Sequence, residues 1–382
     1  MSPARQLAFD TLRKVGRGGY ASDLLAIEAR ALESRDAALA SEIVFGVLRY
    51  QAQLDFLIEH YSGRGLKKLD FEVLLALRMG VYQLRYLDRV PPHAAVSQSV
   101  ELVKTAGLRS AAGFANAVLR KVDRDPVAWP NRAAALSHPE WLLGRWDREF
   151  APETTERIAR ANLQPPETYV RVPPGGAISS AVSVEPTEIA GCFRLISGDA
   201  DGFRIQDIGS QSIVPLLGLE PGQRFLDLCA APGNKTAQAL ESGVRAIACD
   251  FHGKRVAMLK TLGIDVVHLD GTQPLPFGRR FDRILLDAPC SGTGTLARNP
   301  EIKWRLKASD IEELHHRQTA LLRNALDVLA PGGTLVYSTC SLEREENDDV
   351  LAELALQPAQ IMRRIPGLQV GDGFFAAVIR ST

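Results

Sequence analysis

The feature that most limits how this chain can fold lies in its second half, where short apolar runs and helical patterns alternate from about residue 222 onward. Strand-like runs fall at 224–228, 245–249, 266–269, 284–286 and 334–337, and helical patterns at about 235–242, 252–263 and 309–330. The last helix opens on a capping box, Ser309 with Glu312, and stops at Pro331-Gly332-Gly333. Runs of that length, separated by such helices, predict a parallel, doubly wound α/β sheet with both faces covered. A sheet of this kind binds its ligands beyond the carboxyl ends of its strands. The residues at those ends are therefore the candidate site.

The first strand leads into Cys229-Ala230-Ala231-Pro232-Gly233-Asn234-Lys235-Thr236, where small residues let backbone N–H groups approach a ligand. The segment has neither the G-x-G-x-x-G pattern nor the phosphate-loop spacing, which disfavours a dinucleotide or ATP site. The second strand ends in Asp250, placed to accept the hydroxyls of a ribose, and the third in Asp270-Gly271-Thr272, placed beside an adenine ring. The fourth ends in Asp287-Ala288-Pro289-Cys290-Ser291-Gly292 and the fifth in Ser338-Thr339-Cys340-Ser341, with Glu343, Glu345 and Glu346 beyond. Any one of these acids would serve as a helix cap. Together, at successive strand ends, they argue for a site. Cys340 is expected near a helix N-terminus, where the positive end of the dipole favours a thiolate. Cys290 and Cys340, at neighbouring strand ends, suggest covalent chemistry, whereas Cys192 and Cys249 read as small buried apolar residues.

Residues 1–138 read as helix after helix, with apolar faces at Ala8, Leu12 and Val15, at Leu54, Leu57 and Ile58, and at Leu74 through Leu84. An all-α domain over 1–138, a small α+β linking segment over 139–220 and the α/β domain over 221–382 suit a length of 382 residues. Short strands are expected at 168–172, 181–184 and 203–205. Zero net charge hides an asymmetry: residues 1–138 carry 19 Lys/Arg against 14 Asp/Glu. A mildly basic front part suits contact with phosphate backbones. Arg298, Lys303, Arg305 and Lys307, interleaved with Trp304, read either as nucleic-acid contacts or as a solvated basic face. No 18-residue apolar stretch and no signal core is present, so the expectation is a cytoplasmic protein without a membrane partner. The five cysteines form no Cys-x-x-Cys pair and the histidines, His315-His316 included, show no ligand spacing, so no metal is expected.

At these residues the sequence resembles the RNA cytosine-C5 methyltransferase family. The resemblance rests on Ala231-Pro232-Gly233 with Lys235-Thr236, on Asp287-Ala288-Pro289-Cys290-Ser291-Gly292 and on Ser338-Thr339-Cys340-Ser341. Front segments such as Gly46-Val47-Leu48-Arg49, Val90-Pro91-Pro92-His93-Ala94-Ala95 and Asn116-Ala117-Val118-Leu119-Arg120 are similar to the NusB-like helical domain of its RsmB (Sun/Fmu) subfamily. Asn234 stands where the family usually has Gly; should that position need a positive φ, Asn is the next most tolerant residue.

The resemblance implies a Rossmann-like class I methyltransferase using S-adenosylmethionine to methylate carbon 5 of a cytosine in 16S ribosomal RNA. It implies a NusB-like domain that binds RNA, and a monomer. It assigns nucleophilic addition at carbon 6 to Cys340, release to Cys290 and contact with the cytosine N3/N4 edge to Asp287. It also places Asp287 beside the methionine part of the cofactor, with the stretch from Cys229 through Ala230, Ala231, Pro232, Gly233 and Asn234 to Lys235. Asp250 would take the ribose and Asp270 the adenine side. Chemistry alone does not tell Cys340 from Cys290, because either thiol could attack. Two other readings remain at this point: the same reaction on transfer RNA, or an RNA-binding, antitermination-like module with an inactive catalytic half.

Overall fold

The structure is a computed structural model that describes residues 2–200, 202–278 and 280–381. Two compact units divide the chain. The first runs through Gln164 and takes in Leu296–Arg305, a segment more than 130 residues further on. The second comprises Pro165–Thr295 and Leu306–Thr382.

The first unit is helical: α1 (Pro3–Val15), α2 (Ala21–Glu28), α3 (Ser34–Arg49), α4 (Gln51–Ser62), α5 (Phe71–Tyr86), α6 (Pro92–Thr105), α7 (Ala112–Leu119), α8 (Arg132–Leu136), α9 (Glu140–Phe150) and α10 (Pro152–Asn162). Its core draws on Phe9, Leu12, Ile43, Val47, Leu54, Leu57, Ile58, Leu77, Met79 and Leu102, so the faces expected from the pattern do face inward. Pro92 opens α6, where a missing N–H costs nothing. The helices continue past 138, because α9 and α10 carry apolar faces of their own, with Leu142, Leu143, Trp146 and Ile158 buried. The boundary expected at 138 thus moves to Gln164.

The 296–305 segment corrects a second expectation. Lys303 is fully buried, its Nζ donating to Arg49 O at 2.9 Å. Trp304 Nε1 donates to Leu48 O at 2.6 Å, and Arg305 Nη1 donates to Gly18 O and Gly19 O at 3.1 and 3.2 Å. In return Arg49 donates to Ala297 O, and Ala21 N donates to Glu301 at 2.9 Å. Two of those acceptors, Leu48 O and Arg49 O, lie in the last turn of α3, where carbonyls lack intrahelical partners. Lys303, Trp304 and Arg305 are docking groups of the helical unit rather than a solvated basic face.

The second unit begins with a four-stranded sheet of β1 (Tyr169–Arg171), β2 (Ser183–Pro186), β3 (Cys192–Ser197) and β4 (Arg204–Ile205) in the order β2-β3-β1-β4. The sequence pattern missed β3. After α11 (Ile208–Gln211) comes the main sheet: β5 (Arg224–Asp227), β6 (Arg245–Asp250), β7 (Asp265–His268), β8 (Phe281–Asp287), β9 (Leu329–Thr339), β10 (Gln360–Arg364) and β11 (Phe374–Arg380). Helices α12 (Asn234–Leu240), α13 (Gly253–Leu259), α14 (Ile302–Arg305), α15 (Ala308–Asp327) and α16 (Asp348–Glu353) complete the chain; α14 belongs to the helical unit.

The sheet order is β10-β11-β9-β8-β5-β6-β7. Pairing is parallel from β7 across to β9, and β11 runs antiparallel between β9 and β10. Alternate residues serve opposite faces: Leu226, Ile284, Leu286, Leu335 and Tyr337 pack with α15, while Phe225, Leu285 and Val336 pack with Ile213, Leu217 and Ala239. Chain order reverses between β5 and β8, which opens a crevice at their carboxyl ends. Two details differ from expectation. The α15 cap lies two residues earlier, where Lys307 N donates to Asp310 at 2.9 Å. Pro331 to Gly333 form an irregularity inside β9 rather than a stop before it, since Phe281 pairs with Leu329 and Arg283 with Thr334.

Candidate active site

The carboxyl edge of the parallel strands gathers the acids expected from the sequence. At the end of β5, Asp227 is buried and takes a 2.6 Å hydrogen bond from Thr236 Oγ1. Its Oδ1 has no partner among the described residues, and burial pushes its carboxyl up to about 7. At the end of β6, Asp250 accepts from Ala231 N and His252 N at 3.2 and 2.9 Å. This ties the Cys229-to-Lys235 loop to the next strand, while Ala230 N donates to Cys249 O at 2.8 Å. Beyond β7, Asp270 accepts from the hydroxyl and N–H of Thr272, which hold its carboxyl below the ordinary range.

Gly233 carries the left-handed backbone of that loop, with φ 104°. Asn234 is the first residue of α12 and needs no positive φ, so its replacement of Gly leaves the turn intact. Its side chain instead sits near Arg204 and Ile205 O, at 3.4 and 3.5 Å.

Asp287, at the end of β8, joins two neighbours. Lys235 Nζ lies 2.6 Å from Oδ2, and Ser338 Oγ donates to Oδ1 at 2.8 Å. Burial opposes the Lys235 charge, but Asp287, and behind it Cys340 and Asp227, hold the ammonium above its ordinary range. The pattern gave Lys235 and Asp287 as separate site residues; their pairing across 52 positions was not legible.

The two cysteines meet. Cys290 Sγ and Cys340 Sγ are 3.3 Å apart, both part-exposed. Their loops are bonded directly: Gly294 N to Cys340 O at 2.9 Å, Leu342 N to Thr293 Oγ1 at 2.9 Å, and the Ser291 and Ser341 hydroxyls at 3.1 Å. Gly294 is required here. A Cβ would lie 2.5 Å from Gly373 O and 2.8 Å from Cys340 O. The contact with Cys340 and burial push the Cys290 thiol up, and the charges of Cys340 and Glu346 add to this. Burial likewise raises Cys229.

One electrostatic expectation fails. No long helix starts beside Cys340, because α16 begins only at Asp348. Glu346 and Asn347, which the sequence showed only as an acidic and polar stretch, instead turn inward and hold the cysteine loops. Asn347 pairs with Thr339 Oγ1 at 2.6 Å and donates to Ser341 O at 3.0 Å. Lys235, whose ammonium Cys340 helps to favour, supplies positive charge near this thiol.

His315, His316 and Glu353 bring ligand-type atoms within 4.8 Å of one another. Both nitrogens of His315 are already engaged, with Glu345 O at 2.6 Å and Glu353 at 2.7 Å. Among the described residues no helix is long and apolar enough to cross a membrane.

With this geometry established, comparison with known proteins is informative. Residues 214–366 match the family described as 16S rRNA methyltransferase RsmB/F, and residues 2–124 match the NusB family. A ribosomal RNA small subunit methyltransferase B of Klebsiella pneumoniae is 35% identical over 98% of this chain and 97% of its own length. A probable ribosomal RNA small subunit methyltransferase B of Bacillus subtilis is 31% identical, covering 91% and 87%. A solved methyltransferase homolog from Pyrococcus horikoshii is 28% identical with a TM-score of 0.55, over 65% of this chain and 97% of that one. With such identity sustained over nearly the whole of both chains, the protein belongs to the RsmB/F family of 16S rRNA methyltransferases, carrying a NusB-type domain ahead of the catalytic one.

Proposed function

We propose that the protein transfers a methyl group from S-adenosylmethionine to carbon 5 of a cytosine in 16S ribosomal RNA, through a transient bond between Cys340 and carbon 6. The observation that carries this reading is the pair of thiols 3.3 Å apart at adjoining strand ends, beside the Lys235–Asp287 ion pair.

The residues present fit the cofactor. Asp227 keeps a buried carboxyl oxygen without a partner among the described residues, and Asp250 and Asp270 offer carboxylates at the next two strand ends. Gly233 supplies the left-handed turn on which the loop bends. Cys229, Ala230, Ala231, Pro232, Gly233, Asn234 and Lys235 would hold the methionine part with Asp287 close by, Asp250 the ribose and Asp270 the adenine side. When bound, the cofactor supplies an electrophilic methyl group.

Carbon 5 of cytosine is a weak nucleophile. Addition of the Cys340 thiolate at carbon 6 forms a C–S bond and moves the ring's double-bond electrons toward carbon 5, which can then attack. Asp287, as a carboxylate paired with Lys235, offers an acceptor to the exocyclic amino group. Removal of the proton from carbon 5 then returns the double bond and expels Cys340 as thiolate. Two features support a division of roles between the cysteines: Lys235 lies within electrostatic reach of Cys340, and contact with Cys340, burial and the charge of Glu346 push the Cys290 thiol up. This supports Cys340 as nucleophile and Cys290 as the group assisting release through a base, solvent water, that takes the carbon-5 proton.

A base must leave its stack to reach such a pocket, so the target is a loop or single-stranded cytosine. We assign RNA contact to the front helical domain, linkage to the segment with the four-stranded sheet, and catalysis to the part from about 221 onward. The protein acts as a monomer in the cytoplasm. The test is methyl transfer from labelled cofactor to deproteinised small-subunit rRNA, with the methylated carbon mapped. Cys340→Ser should abolish transfer while cofactor binding persists, and Cys290→Ala should accumulate a denaturation-resistant RNA adduct. Transfer undiminished in Cys340→Ser would refute the assignment, and a preference for transfer RNA would move the substrate.

A further inference from the structure

We propose that Glu346 is a positioning residue for the reaction, one carboxylate gripping the residue that follows each cysteine and so holding both thiols in register. Glu346 is fully buried. Its Oε1 accepts from Ser291 N at 2.8 Å and from Gln318 Nε2 at 3.0 Å. Its Oε2 accepts from the Ser291 hydroxyl at 2.5 Å and from the Ser341 hydroxyl. Ser291 follows Cys290 and Ser341 follows Cys340. Gln318 extends the grip, because the same Nε2 donates to Pro289 O at 2.9 Å, one residue before Cys290.

The carboxylate is itself anchored. Tyr337 donates its hydroxyl to Glu346 O at 2.6 Å, and His315 Nδ1 contacts Glu345 O at 2.6 Å. Four donors from three residues saturate both oxygens, with hydroxyl, amide and backbone N–H groups taking the place of a cation. A buried carboxylate so placed is costly as packing alone. Its donors belong to both cysteine loops, and this gives it a role: the separation of the two sulfurs is fixed through it.

The role rests on the reading that both cysteines act in one reaction, so the test includes a measurement that needs no RNA. In the full-length protein, diamide oxidises two neighbouring thiols to a disulfide. The thiols give up two electrons and two protons, which reduce diamide to its hydrazine. The rate of appearance of the Cys290–Cys340 cross-linked peptide, followed by mass spectrometry, reports how well the sulfurs are held together. In Glu346→Ala that rate should fall about tenfold or more, the scale of losing charge-assisted hydrogen bonds. Glu346→Gln keeps the shape and one acceptor and should lie between. Ser341→Ala, a smaller perturbation of the same grip, should slow cross-linking even if the Ala variant folds poorly. In methyl transfer, kcat should fall with KM for RNA unchanged, which separates positioning from RNA binding. Cross-linking and kcat both at wild-type values in folded Glu346→Ala would overturn the proposal. Slowed cross-linking in a protein that never methylates carbon 5 would uphold the clamp and sink the cytosine reading instead. Unaltered cross-linking beside intact wild-type methylation would do the reverse.

Discussion

Lys303→Met should make the helical unit more stable at neutral pH, although it removes a hydrogen bond. Lys303 is fully buried; its Nζ donates to Arg49 O at 2.9 Å and lies 5.1 Å from the centre of the Trp304 ring, with the Arg49 guanidinium near. Burial first, and Arg49 second, push its ammonium well below the ordinary range. A lysine that folds neutral but unfolds charged penalises folding at every pH below its unfolded value of about 10.4. The unfolded chain then binds the extra proton, so stability rises with pH by up to about 1.4 kcal/mol per unit and levels off near 10.4. Were the lysine fully neutral in the fold at pH 7, the penalty there would reach about 4–5 kcal/mol. Against it stands the lost bond to Arg49 O, about 1–3 kcal/mol. Met fills a similar volume, so a net gain of up to roughly 1–4 kcal/mol is expected at pH 7, shrinking toward pH 10. All four tryptophans, Trp129, Trp141, Trp146 and Trp304, lie in this unit, so their fluorescence in a urea melt reports on it alone. Melts at pH 7, 8, 9 and 10 would show the slope in wild type and its loss in the variant. A variant less stable than wild type, with the slope unchanged, would refute the reasoning and mean that Lys303 folds charged.

The remaining predictions concern the site. Lys235→Met should leave Asp287 without its cation and cut methyl transfer by about 10²–10³-fold, on the scale of breaking a buried pair; single-turnover rates at saturating RNA check this, and a loss within a factor of a few would count against it. Asp227, raised to about 7 by burial, holds its proton in the fold while the unfolded chain releases it near 4, so this group's share of stability is full below about pH 4 and is lost as pH rises to about 7. Asp227→Asn should flatten that part of the stability curve, measured by calorimetry from pH 4 to 8. Gly294→Ala should force the cysteine loops apart, costing about 1–3 kcal/mol of stability and slowing transfer, with normal turnover as the contrary result.

Much of the site was legible because a parallel sheet sends its chemistry to one edge. Asp250, Asp270, Asp287, Cys290 and Cys340 could be picked out as strand-end residues before any contact was known. What could not be read were pairings set by non-local geometry. Glu346 read only as one of the acids at a helix start beyond Cys340, since no local pattern tells that a turn will bury it. The 296–305 stretch, cationic with a tryptophan, had the composition of a nucleic-acid contact. Its true partners are backbone carbonyls some 250 residues earlier, and carbonyls leave no mark on side-chain pattern. In β11, Phe374 to Ile379 are all buried, so the strand lacks the alternation that marks a one-sided strand, and it escaped with its edge partner β10.

The route of the backbone bears on how this protein can be divided. Three crossings, after Gln164, Thr295 and Arg305, make its two units interlocked in sequence though separately compact. No single scissile point releases either of them whole. A fragment ending at residue 164 would lack the peptide that covers Leu48 O and Arg49 O, and one starting at 165 would carry that peptide with its apolar side bare. Swapping of catalytic halves between relatives should therefore succeed only when the ten-residue excursion travels with the front unit it completes.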